Sequence, residues 1–286
     1  MSTSAPPSNL SARIRRALGR VPRRVRVAQA RRQDQRVIAI LGMHRAGTSS
    51  LAGSLEAAGL FLGDVHGRGQ WNPKGNRESK VLMRLHEDVL KANGGAWHKP
   101  PERVTWSAEH KARRDRYIRR RMERPLWGFK DPRTLLVIDG WLEAIPDLEM
   151  VATVRHPLAV AHSLQRRSGS ESFEPWLELW LAYSRRLLEL HEQHGFAIID
   201  FDLPADAYQA RLTEIMAQLG LQPPAGDPAF FEASLRHVEP DPEPLPVEVD
   251  RVYLALRAAA AGAAGDPPTS AVAGGGTRTV HEGAGG

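Results

Sequence analysis

No cysteine occurs in the 286 residues, so disulfides, thiolate catalysis and cysteine-ligated zinc are excluded. No histidine group has metal-ligand spacing either. No apolar run approaches the ~18 residues that span a bilayer, and the N-terminus lacks a secretory hydrophobic region. The simplest expectation is a cytoplasmic protein without a transmembrane segment, at most peripheral at a membrane. Aromatic residues are absent from the arginine-rich N-terminal arm, which argues against sequence-specific nucleic-acid recognition and leaves only nonspecific charge contacts there. What the chain does have is 42% hydrophobic content, enough to bury a full core. Its net charge of +6 is unevenly placed: residues 1–35 hold nine arginines and one aspartate, for +8, so the remainder carries −2. The expected organisation is a basic, flexible arm over 1–35, an α/β domain over 36–240, and an extension over 241–286 with a short helix and an Ala/Gly-rich tail. The arm reads first as a solvated, mobile tail, and second as an attachment to an anionic membrane surface or an acidic partner.

The chain is organised around RVIAILGMHRAGTSSLAGSLE, residues 36–56. Val37 to Leu41 reads as a buried strand, and Leu51 and Leu55 then fall at helical spacing. Between them, Gly42 and Gly47 let the backbone curl around an oxyanion, with loop N–H groups and the positive end of the helix dipole directed at it. The outline is that of a Walker A loop, but Thr48 stands where the lysine belongs. An ordinary kinase places that lysine on the β- and γ-phosphates. Here Arg45 supplies the cation, and its planar fork suits a phosphate or sulfate.

Three further segments read as strands: LWGFK from Leu126, LEMVATV over Leu148 to Val154, and FAIIDF over Phe196 to Phe201. If the strands are parallel, the segments ending near Gly42, Lys130 and Arg155 deliver polar groups to one rim, where open α/β sheets bind ligands. Helices are expected over Asn76 to Ala92 with Glu78 in the first turn, Ala108 to Met122 on the surface, Thr134 to Ala144, Phe173 to His194, Leu203 to Leu219 and Val249 to Ala261. Residues 93–107 are irregular, and Trp71, Trp97 and Trp106 offer a stacking surface. His66, His86 and His98 read first as surface or packing residues. Asp200 or Asp202 could serve as a Walker B aspartate, which keeps an atypical P-loop kinase open.

Residues 36–222 also carry a family resemblance. GMHRAGTSSL resembles the 5′-phosphosulfate loop of sulfotransferases that use 3′-phosphoadenosine 5′-phosphosulfate (PAPS), and VATVRHPLAVAHSL resembles their 3′-phosphate segment, with Arg155 and Ser163 at the matching positions. WGFKDPRT resembles a lysine-bearing element of tyrosylprotein and some bacterial members, and NPKGNRES lies where bacterial relatives place an acid regarded as the catalytic base. His44 and Arg45 replace the Pro-Lys pair of the cytosolic enzymes, so the likeness is nearer the Golgi-type and bacterial members. The late glycine-containing 3′-phosphate segment is not recognisable; Leu235, Arg236 and His237 are the candidates for part of it.

The resemblance implies a three-layer α/β/α fold with a parallel P-loop-NTPase-like sheet, and PAPS as donor without a metal. It implies cofactor contacts from His44, Arg45, Ala46, Gly47, Thr48, Ser49, Arg155 and Ser163, and catalytic roles for Glu78, Lys130 and Arg45. Sulfuryl transfer needs positioning and stabilisation of negative charge, which these cations can supply. The acceptor's proton needs a base, for which Glu78 stands by motif position, with His66 and His86 as rivals and a plain helix N-terminal acid as the structural reading of Glu78. The acceptor, a carbohydrate, glycolipid or small molecule, is not specified. A non-catalytic nucleotide-binding scaffold is the non-enzyme alternative.

Overall fold

The computed structural model describes residues 35–65, 75–224 and 244–262. The basic arm before Gln35, His66, Trp71, Leu235 to His237 and the C-terminal tail lie outside the described residues. Four strands form one sheet in the order β2-β1-β3-β4: β1 (Arg36–Leu41), β2 (Leu126–Lys130), β3 (Glu149–Val154) and β4 (Ala197–Asp200). Every pairing is parallel, with Ile40 opposite Lys130, Leu41 opposite Ala152, and Val154 opposite Asp200. All four C-terminal ends therefore reach the same rim.

The helices, in chain order, are α1 (Thr48–Ala57), α2 (Lys80–Ala92), α3 (Ala108–Arg119), α4 (Thr134–Val137), α5 (Asp139–Ala144), α6 (Pro157–Ser168), α7 (Glu174–His194), α8 (Ala205–Gln218) and α9 (Val247–Gly262). Alternation along β1 explains the three layers, because successive side chains point to opposite faces of a sheet. Val37, Ala39 and Leu41 join the core shared with α2, α3, α6, α7 and α9, whereas Ile38 and Ile40 join the core shared with α1 and α8. Both faces are covered, as an all-parallel sheet requires. At the opposite end from the site, Arg36 clamps the layers, donating to both Glu149 carboxylate oxygens at 2.7 and 2.6 Å and to the Leu219 carbonyl at 3.0 Å.

Several helix boundaries differ from the sequence reading for identifiable reasons. The helix expected from Asn76 starts at Lys80, because Arg77 takes φ 54, a left-handed conformation that a right-handed helix does not continue through, and Ser79 is extended. Glu78 thus precedes the helix rather than lying in its first turn. On that helix Leu82, Leu85, Val89 and Leu90 are buried, whereas Val81 is 53% exposed. The charged helix expected to lie on the surface ends at Arg119 and buries His110, Arg114, Tyr117 and Ile118, with the Arg114 guanidinium donating to the Gly140 carbonyl. Thr134 to Ala144 divides into α4 and α5 at Ile138.

The helix of the expected C-terminal extension packs into the main core. Val249, Val252, Tyr253 and Leu256 of α9 are buried with α7 residues, and Arg257 reaches Asp200 at the end of β4 at 3.1 Å. Its apolar stripe needs a partner face, and α7 and β4 supply it. Among the described residues no helix is long and apolar enough to cross a membrane.

Candidate active site

The loop after β1 has backbone geometry that few sequences permit. Gly42 has φ 135 and Gly47 has φ 90; a Cβ at Gly42 would meet the Thr153 carbonyl at 2.7 Å, and one at Gly47 would meet the Phe201 ring at 2.2 Å. Between them Arg45 holds φ 67, a left-handed conformation costly for a residue with a side chain and found mainly where function over-determines the backbone. Thr153 Oγ1 donates to the Ala46 carbonyl at 2.9 Å and fastens the loop to β3. Gly47 is the N-cap of α1 and offers no side-chain cap; Ser50 and Leu51 donate to its carbonyl at 3.0 and 3.1 Å, which leaves the Thr48 and Ser49 N–H groups ahead of the first helical hydrogen bonds, on the loop side of the helix. Backbone donors and a helix dipole at a sheet's C-terminal rim are suited to an oxyanion.

Lys130, the last residue of β2, joins that loop to Glu78. Its Nζ donates to Glu78 Oε1 at 2.7 Å and to Ser49 Oγ at 3.1 Å, and Ser49 Oγ in turn donates to the Asn76 carbonyl at 3.2 Å. Both members of the ion pair are buried, at 2% exposure for Lys130 and 7% for Glu78. The neighbouring strand therefore brings an ammonium to the loop whose own sequence has threonine in the lysine position. Arg77 pairs with Glu56 of α1 at 3.1 Å, which anchors the segment carrying Glu78 to the loop helix.

A second set of cations gathers around Arg45. Arg45 Nε donates to Ser163 Oγ at 2.8 Å, and Arg155 Nη1 donates to the Arg45 carbonyl at 3.3 Å. Arg155 is held by Asp202 at 3.4 Å, and its carbonyl accepts from Trp180 Nε1 at 3.2 Å. Burial, with Arg167, Arg155 and Arg166 nearby, lowers the Arg45 pKa. Such crowding of like charges is relieved by an anion. The sequence reading passed over Arg166 and Arg167, whose charges bear on Arg45; their positions three and four residues after Ser163 on α6 put them on its face of the helix, a signal that was available.

His44 sits between the two sets. Its ring lies 4.6 Å from Trp97, which is stacked on Trp176 at 6.2 Å, and its Nε2 is buried without a hydrogen-bond partner among the described residues. Burial, then Arg133 and Lys130, lower its pKa from 6.5 to about 3. The neutral imidazole is thus the native form, while the unfolded chain binds the proton. Because the native value is depressed, stability is full above about pH 6.5 and falls as pH drops toward 3, at ~1.4 kcal/mol per pH unit for one proton. His156, also lowered by burial, adds with the same sign. Urea denaturation at pH 6, 5 and 4 should show this slope, and His44→Gln should reduce it by about one proton; an unchanged slope in the variant would assign the effect elsewhere.

The remaining candidates are engaged by neighbouring side chains. His86 is fully buried: Asp131 Oδ2 lies 2.9 Å from its Nδ1, and Trp141 Nε1 donates to its Nε2 at 2.9 Å. An indole N–H can only donate, so Nε2 accepts, Nδ1 carries the proton and His86 has no nitrogen left for a substrate. Burial alone would raise the Asp131 pKa, but the His86 hydrogen bond and Arg133 hold it well below the usual carboxylate range. Trp106 also belongs to this cluster, donating to the Val137 carbonyl at 3.1 Å, so of the two described candidate stacking tryptophans Trp97 stands beside the loop and Trp106 does not. Asp200 and Asp202 are engaged by Arg257 and Arg155 respectively. Among the described residues no group of three or more His, Asp or Glu could hold a metal ion.

No family model matches the chain, and no curated protein matches it. Among solved structures, the chain is similar to the sulfotransferase domain from the Synechococcus PCC 7002 olefin synthase, with 20% identity and a TM-score of 0.48 over 77% of this chain and 94% of that one. It is also similar to sulfotransferase STF1 from Mycobacterium tuberculosis H37Rv, with 17% identity and a TM-score of 0.37 over 78% of this chain and 76% of that one. What the architecture itself establishes is an α/β protein whose parallel sheet, covered by helices on both faces, carries a glycine-bounded strand-to-helix loop at the C-terminal rim of its inner strand β1.

Proposed function

We propose that the chain is a sulfotransferase that moves a sulfuryl group from PAPS to a hydroxyl or amine acceptor. The observation that carries this reading is the junction of Lys130, Glu78 and Ser49 on a glycine loop, beside the Arg45, Ser163 and Arg155 set. PAPS presents two anionic ends, and two cationic sets stand at this rim to receive them. In this assignment the first-turn N–H groups of α1 and Lys130 hold the 5′-phosphosulfate, Arg155 and Ser163 hold the 3′-phosphate, and Arg45 lies between. Arg166 and Arg167 add positive potential to the 3′ side.

The chemistry follows from that placement. The acceptor oxygen forms a bond to sulfur as the sulfur–oxygen bond to the 5′-phosphate breaks, leaving 3′,5′-bisphosphoadenosine. Glu78 takes the acceptor's proton, and Lys130 with the loop N–H groups offsets the charge that appears on the departing phosphate oxygen. The 2.7 Å pair in the structure holds the two groups side by side in a buried setting. No step of this transfer requires a metal ion.

Melting of the full chain tests the donor class. Adding 3′,5′-bisphosphoadenosine at 100 times its dissociation constant should stabilise the fold by about 2.7 kcal/mol, with or without magnesium, while ATP gives a smaller shift. A transition raised by ATP only together with Mg²⁺ would instead support a kinase and defeat the proposal.

A further inference from the structure

A second cavity, of 610 Å³, has none of the loop residues 42–49 in its wall. It lies between the segment after α1 and the facing parts of α2 and α3. Among the described residues, one side is apolar, formed by Phe61, Val65 and Val81, and the other carries Lys80, Arg120 and Arg121 beside Asp64. Arg121 is the unusual member. It is only 8% exposed, yet among the described residues it forms no ion pair. Its guanidinium lies 3.6 Å from the centre of the Tyr117 ring, Nη1 donates to the Tyr117 carbonyl at 3.3 Å, and Nε is buried with no hydrogen-bond partner.

A buried cation with no carboxylate in ion-pair contact is expensive, and stacking on Tyr117, with the Trp127 ring at 5.7 Å and Asp64 acting only through space, offsets only part of that cost. The surroundings nonetheless accommodate it: Gly63, at φ 77, leaves room that a Cβ would take, since that atom would stand 2.7 Å from Arg121 Nη2. Lys80 and Ser79 add a cation and a hydroxyl at the N-terminal end of α2, where the helix dipole also favours an anion. Val81, one of the few large apolar side chains exposed on the described surface, forms part of the same wall.

We propose that this cavity is an oxyanion-binding site, separate from the donor loop, for a small molecule that places a carboxylate or phosphate on Arg121 and an apolar portion on Phe61, Val65 and Val81. The site stands on the cavity's own residues and does not depend on the sulfuryl-transfer reading. Guanidinium can hold either anion through two parallel hydrogen bonds. The Arg121 Nε–H now without an acceptor is the natural reporter.

The test uses the ¹⁵N-labelled full chain, with the Arg121 Nε–H signal identified by its loss in Arg121→Lys. Sodium chloride is replaced at constant ionic strength by sodium phosphate in one series and sodium acetate in another. A saturable shift of that signal is expected in at least one series, with phosphate alone indicating a phosphate ligand and acetate alone a carboxylate. Lys80→Gln, at an exposed position, should weaken the midpoint by about two- to fivefold, and Arg45→Ala should leave it unchanged. The proposal is overturned if neither anion moves the signal saturably, or if the response disappears in Arg45→Ala, which would trace it to the donor loop.

Discussion

Glu78→Gln is expected to lower single-turnover sulfuryl transfer by about 10²- to 10⁴-fold while binding of 3′,5′-bisphosphoadenosine hardly changes. Glutamine retains an oxygen that can accept the Lys130 Nζ hydrogen bond, now 2.7 Å long, so the cation stays in place and only basicity is lost. That separates proton transfer from mere positioning of the lysine. Glu78 lies one residue before the N-cap of α2, so an acid favoured by the helix dipole is the competing role, and intact transfer in the variant would select it. His86 does not compete as an accessible base, with both ring nitrogens engaged by Asp131 and Trp141. The measurement mixes enzyme with saturating donor and an acceptor found by screening for donor consumption. Near-normal transfer by the variant would remove Glu78 from the reaction and leave only the nucleotide-binding part of the proposal.

Lys130→Met should cost about 3–5 kcal/mol of folding stability, because it leaves the Glu78 carboxylate buried without its cation. Transfer should fall as well, since the charge that offsets the departing phosphate is gone. The stability loss has a specific signature: adding Glu78→Gln to Lys130→Met should restore more than half of it, as the second change removes the uncompensated charge. Urea denaturation of the two single variants and the double variant measures this directly. If the two losses simply added, the pair would not be an energetic unit, despite its short distance and burial. Ser49→Ala should be mild by comparison, because Ser49 only adds a neutral oxygen to the lysine at 3.1 Å.

These predictions use contacts of different legibility. Loop 42–49 could be read from the chain because its signal is local: a β-branched apolar run, glycines at the two ends of the turn and leucines at helical spacing all lie within one strand–turn–helix. The same holds for β2 and β3, which begin and end within a residue of the segments read from apolar runs. Glu78 could be named but not understood. A helix pattern extrapolated backward from Leu82 reaches Asn76, and nothing in the composition signals that Arg77 turns left-handed. Arg166 and Arg167 were legible by spacing from Ser163, whereas Arg121 was not, since an arginine at the end of a highly charged helix ordinarily reads as solvated.

By itself the sequence determined the alternation of strand and helix, the glycine-bounded loop between β1 and α1, the absence of cysteine chemistry and the cationic residues at the strand ends. Those are consequences of side-chain periodicity and of glycine's backbone freedom, both of which act over a few residues. Only the tertiary structure decided that Lys130 meets Glu78 and Ser49 across 52 and 81 residues of chain, that Arg45 meets Ser163, and that His86 is sealed between Asp131 and Trp141. It also decided that α9 closes the main core over β4. The physical reason is that each of these contacts requires the parallel register of the sheet first: pairing β1 with β2 and β3 brings the strand ends to one rim, and burial there converts separated charges into partners that must satisfy one another.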